Sequence, residues 1–398
     1  MPAKGLHEMP SASHAESGTM ESGADRPRVA IVGGGVIGLS VGWRLRQAGC
    51  NVTVFERGEP GRGASWAAAG MLAAGIEAEP TEEKLFEFGR FSQALWPGFA
   101  AELEAASGQE IGYDPTGTLV CAFTRDQAEK LRRGVEFQSR LGGVFEWLGG
   151  RAAREIEPGL AANLVAAILS PRDHQVDNRK LGAALATAFR RAGGILLTRA
   201  DAALDIAAGR CRGVISGGAV HDADVTLLAG GAWSRLVPGL PAAAAPPVRP
   251  IKGQLLALTM PQAAPLIRHV VWGANCYLVP RAGGRLVIGA TTEEQGFDTA
   301  ITAGGLLGLL DDAWRTLPGI EDLPVEETWT GFRPGSPDDM PILGAGPIDG
   351  LVYATGHHRN GILLTPATAA LMSDCILTGR VDPRLAAFSI DRFGAGRR

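Results

Sequence analysis

The chain has 398 residues, a formal net charge of −4, and 45% hydrophobic and 20% charged residues. That length exceeds the ~250–300 residues at which a single core stops growing, so two domains are expected. The charge offers no basic field to nucleic acid, and no run of roughly 18 apolar residues marks a membrane helix.

Residues 1–27 are rich in Ser, Ala, Gly, Glu and His and read as a disordered tail. RVAIVGGGVIGLSVGWRLRQAGCNVTVFE follows, Arg28 to Glu56. Val29, Ile31 and Val32 make a buried strand. Val36, Ile37, Leu39, Val41 and Leu45 give a helix its apolar side. Val52, Val54 and Phe55 make a second strand. This is the layout of a dinucleotide-binding unit. Gly33 permits the tight turn, Gly35 lets backbone approach a pyrophosphate, and Gly38 lets the helix sit close to the strand. The helix N-terminus offers N–H groups to phosphate. Glu56 follows Gly38 at close to the spacing of about 20 expected for a carboxylate that grips ribose. The motif alone does not separate NAD from FAD.

GRGASWAAAGMLAAG, 61–75, is small and nearly uncharged, so backbone could approach a flat ligand there or simply pack. Thr81 to Ala106 reads as helix, Gly108 to Phe123 as strand material, and Arg125 to Leu141 as helix. Residues 171–194 read as a loop entering a helix with Leu181, Leu185 and Phe189 on one side. DADVTLLAGGAWS, 222–234, is a strand running into Gly230 and Gly231. Proline-rich 239–250 suits a crossing between domains. VRPIKGQLLALT, CYLVPR and GRLVIGATTEEQGFD read as strands of an antiparallel sheet. Residues 302–320 read as helix, and 351–379 as strand, turn and helix. In that last segment Gly361 is expected to open a helix with Pro366 in its first turn. Such an N-terminus could stabilise negative charge on a reduced flavin ring.

Arg333 stands in an apolar, proline-rich stretch, WTGFRPGSPDDMPILG. A guanidinium there suits a bidentate grip on a carboxylate, or a salt bridge to Asp338 or Asp339. The cysteines (Cys50, Cys121, Cys211, Cys276, Cys375) are odd in number and never form a CxxC pair. They fit a reducing cytoplasm and argue against a zinc site or disulfide framework, so no metal is expected.

Taken together and in order, VAIVGGGVIGLSVGWRLRQAG, GASWAAAGML, VDNRKL, IKGQLLAL, CYLVPR, GRLVIGAT, TGFRPGSPDDMPILG and GHHRNGILLTPATAALMSD resemble the D-amino-acid-oxidase family of flavoproteins. The resemblance covers residues 27–380. It implies a mixed α/β (α+β) fold: a discontinuous Rossmann-like FAD-binding domain from 28–80, 165–247 and 326–398, and a substrate domain with a large antiparallel sheet from 81–164 and 248–325. It places the FAD site on Gly33, Gly35, Val36, Ile37, Gly38, Glu56 and Arg57. The flavin would be lined by Ala64, Ser65, Ala69, Gly70 and Met71. Ala203 would contribute near adenine, and His357, His358, Arg359, Asn360, Gly361, Ile362 and Leu363 would close over the ring. Arg333 would hold the substrate carboxylate with Tyr277 and Arg359 nearby, and Met71 beside the α-carbon.

The family's relatives with covalent flavin use a His in the small-residue segment or a Cys near the carboxylate loop. Ala67 stands at the first position and no cysteine lies between Cys276 and Cys375, so noncovalent FAD is expected. The family often has an aromatic residue where His358 stands, and a titratable ring there could alter the pH profile. The implied reaction is hydride transfer to flavin N5 from glycine, sarcosine or a small D-amino acid, giving the imine. O2 then returns as H2O2, and the glycine imine would supply the thiazole of thiamine. The expected partners are the amino acid, O2 and further copies of the chain in a homo-oligomer, with no nucleic acid and no membrane. Three other readings stand beside this one: a dehydrogenase or demethylase that passes electrons to a carrier, a D-amino-acid oxidase of other specificity, and a nucleotide-binding protein without turnover.

Overall fold

The computed structural model describes residues 26–76 and 82–396. Most of the tail expected over 1–27 therefore lies outside the described residues. The fold is mixed α/β, with two large sheets facing each other across a cavity.

The first sheet runs, edge to edge, Ile342–Ala345, Leu351–Thr355, Val225–Leu228, Arg28–Val32, Asn51–Glu56 and Ile195–Thr198. Its inner pairs are parallel; only the Ile342 edge strand is antiparallel. Parallel strands need both faces covered. Helices Val36–Gln47 and Asn178–Arg191 lie on it, and Glu83–Ser107 and Thr365–Thr378 pack against them. Leu39, Val41, Trp43, Leu45, Leu181, Leu185, Phe189, Trp96, Leu364 and Met372 are buried in one core. The apolar stripe read for the 171–194 segment is thus its buried face. A three-stranded meander, Ala203–Ala207, Arg210–Ser216 and Ala219–Asp222, covers part of the other face through Leu204 and Val214.

The second sheet has the order Val325–Gly335, Arg249–Thr259, Arg285–Gly289, Tyr277–Pro280, Val270–Trp272, Thr118–Ala122, Ala166–Ser170 and Glu146–Gly149. Alternation along its strands sorts two faces. Leu256, Leu258, Leu278, Leu286 and Ile288 pack under helix Ala303–Thr316. Leu255, Ala257, Val279, Val287, Tyr277 and Trp329 face the opposite way, toward Ala67, Ala69 and Met71. The 61–75 segment is therefore the layer between the sheets.

Three expectations shift. Strands Ala166–Ser170 and Val325–Gly335 fall in segments expected to bind nucleotide, yet both pair in the second sheet. The ladder with Arg249–Thr259 runs the full length of Val325–Gly335, from Val325 opposite Leu258 to Gly335 opposite Arg249. Strand within 108–123 is confined to Thr118–Ala122. The C-terminal helix begins at Thr365 rather than Gly361, with Pro366 in its first turn as expected. The Leu363 carbonyl is taken by Ser92 Oγ (2.7 Å) and Trp96 Nε1 (2.9 Å), and the Ala367 N–H goes to Ser92 Oγ (3.3 Å). Side chains of the 83–107 helix thus replace the bond that would have extended the ladder.

Candidate active site

A cavity of about 1830 Å³ runs between the sheets. Drug-sized ligands occupy ~300–1,000 Å³, so this space suits a dinucleotide with a small second molecule beside it.

At its nucleotide end, Gly33 has φ 113° and a Cβ there would lie 2.3 Å from the Ala229 carbonyl oxygen. A Cβ on Gly38 would lie 2.0 Å from the Gly33 carbonyl oxygen. Both glycines are forced by backbone contact. At Gly35 a Cβ would meet only Ser65 Oγ, at 3.2 Å, and would otherwise project toward the cavity the residue lines. The first N–H groups of a helix have no intrahelical partner; Val36 N–H, at the start of this one, donates to Ser65 Oγ at 3.1 Å. The Glu56 carboxylate accepts from Gly34 N–H and Gly58 N–H, each at 2.8 Å, which orients it at the end of its strand. The Arg57 guanidinium lies 4.0 Å over the Trp233 ring. Ala200, Asp201 and Ala202 complete this end, and Ala203 is the next residue outside the wall.

The middle of the cavity is lined by Ala64, Ser65, Ala67, Ala68, Ala69, Gly70 and Met71. Their backbone is held from behind. Asn178 Nδ2 donates to the carbonyls of Ser65 (2.8 Å) and Trp66 (2.9 Å), and Trp329 Nε1 to that of Ala67 (3.0 Å). Arg281 donates to the Ala69 carbonyl, to Gln175 Oε1 (2.6 Å) and to Asn178 Oδ1 (3.3 Å). Burial pulls the Arg281 pKa down to about 10. Gly70, at φ 71°, fits because a Cβ would strike the Val176 carbonyl oxygen at 2.0 Å.

At the far end Arg333 lines the cavity and donates to the Thr291 carbonyl at 3.1 Å. Neither anticipated salt bridge forms: Asp338 pairs with Arg392 at 2.8 Å, and Asp339 approaches His358 Nδ1 at 3.5 Å. Lys252, its side chain 1% exposed, fastens the loop after Thr291 through Asp298 (2.7 Å) and Glu293 (3.7 Å). Tyr277 lines the same end, its ring lying where a Gly289 side chain would be. Arg359 also borders the cavity but is ion-paired to Glu82 at 3.0 Å.

His357 is buried and bonded to Thr368 Oγ1 at 3.2 Å, and burial takes its pKa down to about 3. His358 falls to about 3 as well, through burial first and then Arg333, Arg359 and Arg249. Both rings are neutral across the ordinary assay range, so His358 does not titrate there. His358 adopts φ 44° and Asp339 φ 56°, left-handed values uncommon outside glycine that cluster at functional sites.

The chain brings together at this cavity Gly33, Gly35, Val36, Ile37, Glu56, Arg57, Ala64, Ser65, Ala69, Gly70, Met71, Tyr277, Arg333, His357, His358, Arg359, Gly361 and Ile362. Gly38, Asn360 and Leu363 do not line it. Residues 28–375 match the family model described as DAO, FAD dependent oxidoreductase. The chain belongs to that family.

This FAD-dependent oxidoreductase is 39% identical over 368 residues to the glycine oxidase of Geobacillus kaustophilus, covering 92% of this chain and 96% of that one. The crystal structure of that organism's glycine oxidase superposes with a TM-score of 0.86 at 37% identity, covering 92% of this chain and 99% of that one. The bifunctional protein ThiO/ThiG of Synechocystis sp. is 38% identical over 373 residues, covering 92% of this chain. The chain spans about half the length of that relative, 54% of it. FAD is the family's cofactor, and the glycine cradle, the Glu56 carboxylate and the small-residue wall fit it.

The supporting side chains Arg281, Asn178, Gln175 and Trp329 carry no local signal of their role. Arg281 stands in the CYLVPR motif and Asn178 follows an ordinary helix cap, Asp177, which bonds Arg179 and Lys180 N–H. No His, Cys, Asp and Glu cluster among the described residues could hold a metal.

Proposed function

We propose that this chain oxidises glycine, sarcosine and small D-amino acids to the imine, with O2 as electron acceptor and H2O2 as product. The observation that carries the reading is Arg333. It is a guanidinium at the end of a largely apolar cavity, bonded to one carbonyl and, among the described residues, ion-paired with no carboxylate. The similarity to glycine oxidases supports it.

FAD, bound along Gly33–Gly38, Glu56 and the 64–71 segment, supplies a two-electron acceptor. Everything else asked of the chain is positioning. Arg333 clamps the carboxylate, using donors that Thr291 leaves over. Tyr277 adds a hydroxyl at the same end. Met71 and Leu255 exclude water from the α-carbon. No side chain is needed as a base: the amine enters deprotonated, and neutral His357 and His358, with pKa values of about 3, are poor proton acceptors.

The flavin is held without a covalent bond, for Ala67 offers no attachment atom, so acid precipitation should release it intact. The glycine imine would feed thiazole formation in thiamine synthesis, as the ThiO/ThiG relatives suggest. The five free thiols are all buried, which fits a reducing cytoplasm, and we expect copies of the chain to assemble as a homo-oligomer. The test is peroxide formation under air with glycine, sarcosine, D-alanine and D-proline. Stoichiometric H2O2 and glyoxylate from glycine support the reading. Turnover seen only with an added electron carrier would replace the oxidase with a dehydrogenase.

A further inference from the structure

The site does not end at Tyr277. Strand registers align Tyr277 with Trp272, Trp272 with Val120, and Val120 with Ile168. Directly paired residues point to one face, and all four line the cavity. Neighbouring strands are ~4.7–4.9 Å apart, so this floor carries the cavity about 14 Å from Tyr277 to Ile168. Its roof is helix Arg125–Arg140, whose Leu131 and Val135 also line the space, with Phe145 closing the side. Glycine or sarcosine anchored at Arg333 would leave this chamber unfilled.

A second observation marks the chamber. Trp272 Nε1 is buried and has no hydrogen-bond partner among the described residues. A buried N–H without an acceptor is rare in native proteins and costs stability, unless a ligand supplies the acceptor. Val120, Ile168, Leu131, Val135 and Phe145 give it an apolar lining, and Gln127, Lys130 and Gln138 of the roof helix also reach the space.

We propose that this chamber is an extension subsite for an apolar arm of four or more carbons on the amino-acid substrate, with the Trp272 indole N–H donating to an acceptor carried on the arm. The inference rests on the oxidase reading in taking Arg333 as the carboxylate clamp. It predicts substrates well beyond the smallest amino acids, without loss of glycine turnover.

The test uses the FAD-loaded protein and ligands that cannot be oxidised. Calorimetric titration with acetate, butyrate and hexanoate should show affinity rising about fourfold per buried methylene. Leu131→Trp fills the chamber from a half-buried helix position. It should erase that rise while leaving acetate affinity within twofold. In turnover, Leu131→Trp should lower kcat/KM for N-butylglycine or D-2-aminohexanoate at least tenfold and leave glycine unchanged. Whichever of the two responds shows whether the arm leaves from nitrogen or from the α-carbon. Trp272→Phe should weaken only arms that carry an ether or amide oxygen. Hexanoate binding no tighter than acetate, or Leu131→Trp weakening both equally, overturns the subsite. A protein that shows the methylene series yet forms no peroxide from glycine retains the subsite and refutes the oxidase reading.

Discussion

Gly253 offers a sharp test of the carboxylate clamp, because it sits beside Arg333 without contacting the cofactor segment. It lies in strand Arg249–Thr259, opposite Gly331. A Cβ at Gly253 would stand 2.8 Å from Arg333 Nη1, 2.9 Å from Nη2 and 3.1 Å from Cζ. Unstrained heavy-atom contacts lie at ~3.5–4.0 Å, so the guanidinium of Gly253→Ala must shift by about 0.5 Å or more. A strand position accepts alanine, so the fold should tolerate the change. A hydrogen bond to a charged group is worth ~1.5–3 kcal/mol. Spoiling one of the two bonds of a bidentate clamp should therefore lower kcat/KM for glycine by about tenfold to 150-fold, mostly through KM. The assay is peroxide formation under air, with flavin absorbance and a thermal melt as controls. Arg333→Leu, which removes the clamp, sets the ceiling, and Tyr277→Phe should fall below it. If Gly253→Ala keeps kcat/KM within twofold while binding FAD, the guanidinium's position is not what fixes the substrate. If Arg333→Leu is also active, the carboxylate is held elsewhere.

Gly38→Ala should yield protein without bound flavin and less stable by ~1–3 kcal/mol, because its Cβ would lie 2.0 Å from the Gly33 carbonyl oxygen; normal flavin content would contradict the close helix–strand contact. His358 has a folded pKa of about 3 against an ordinary 6.5. Below pH 6.5 the unfolded chain takes up a proton that the native state refuses. Stability should therefore fall as pH drops from 6.5 toward 3, by up to ~1.4 kcal/mol per pH unit for each such histidine. His358→Asn, which tolerates the left-handed backbone, should flatten that slope in urea melts between pH 7 and 5; an unchanged slope would mean the ring is charged or exposed. Ser92→Ala strands the buried Ala367 N–H and removes one of two donors to Leu363, so it should cost ~1–3 kcal/mol in melts and weaken FAD binding. A neutral Ser92→Ala would show that the turn before the C-terminal helix holds itself.

What the sequence carries plainly is what neighbours decide. Gly33, through its φ of 113°, and Gly38, through its contact with the Gly33 carbonyl, act in turn geometry within six residues, so their spacing reveals them. Arg333 is conspicuous because its surroundings are apolar. The hidden features depend on distant chain. Arg281 reaches Ala69, and Asn178 reaches Ser65 and Trp66, contacts that no window of sequence contains. The start of the C-terminal helix moved to Thr365 because Ser92 and Trp96 took the Leu363 carbonyl. His358 looked titratable by type; only its burial beside three arginines keeps it neutral.

The strand order of the first sheet has a consequence for how the protein comes into being. Val225–Leu228 lies between Arg28–Val32 and Leu351–Thr355, and the cavity-lining turn at 357–362 follows that last strand. During synthesis the early βαβ unit emerges long before the strands that flank it. Its apolar edge must wait, exposed, for most of the chain to leave the ribosome. Such distant pairing makes folding slow. A ligand that binds only the finished fold then draws the equilibrium toward it. Recovery of active protein on expression should therefore follow riboflavin supply, and chains released before residue 356 should aggregate rather than accumulate as stable fragments.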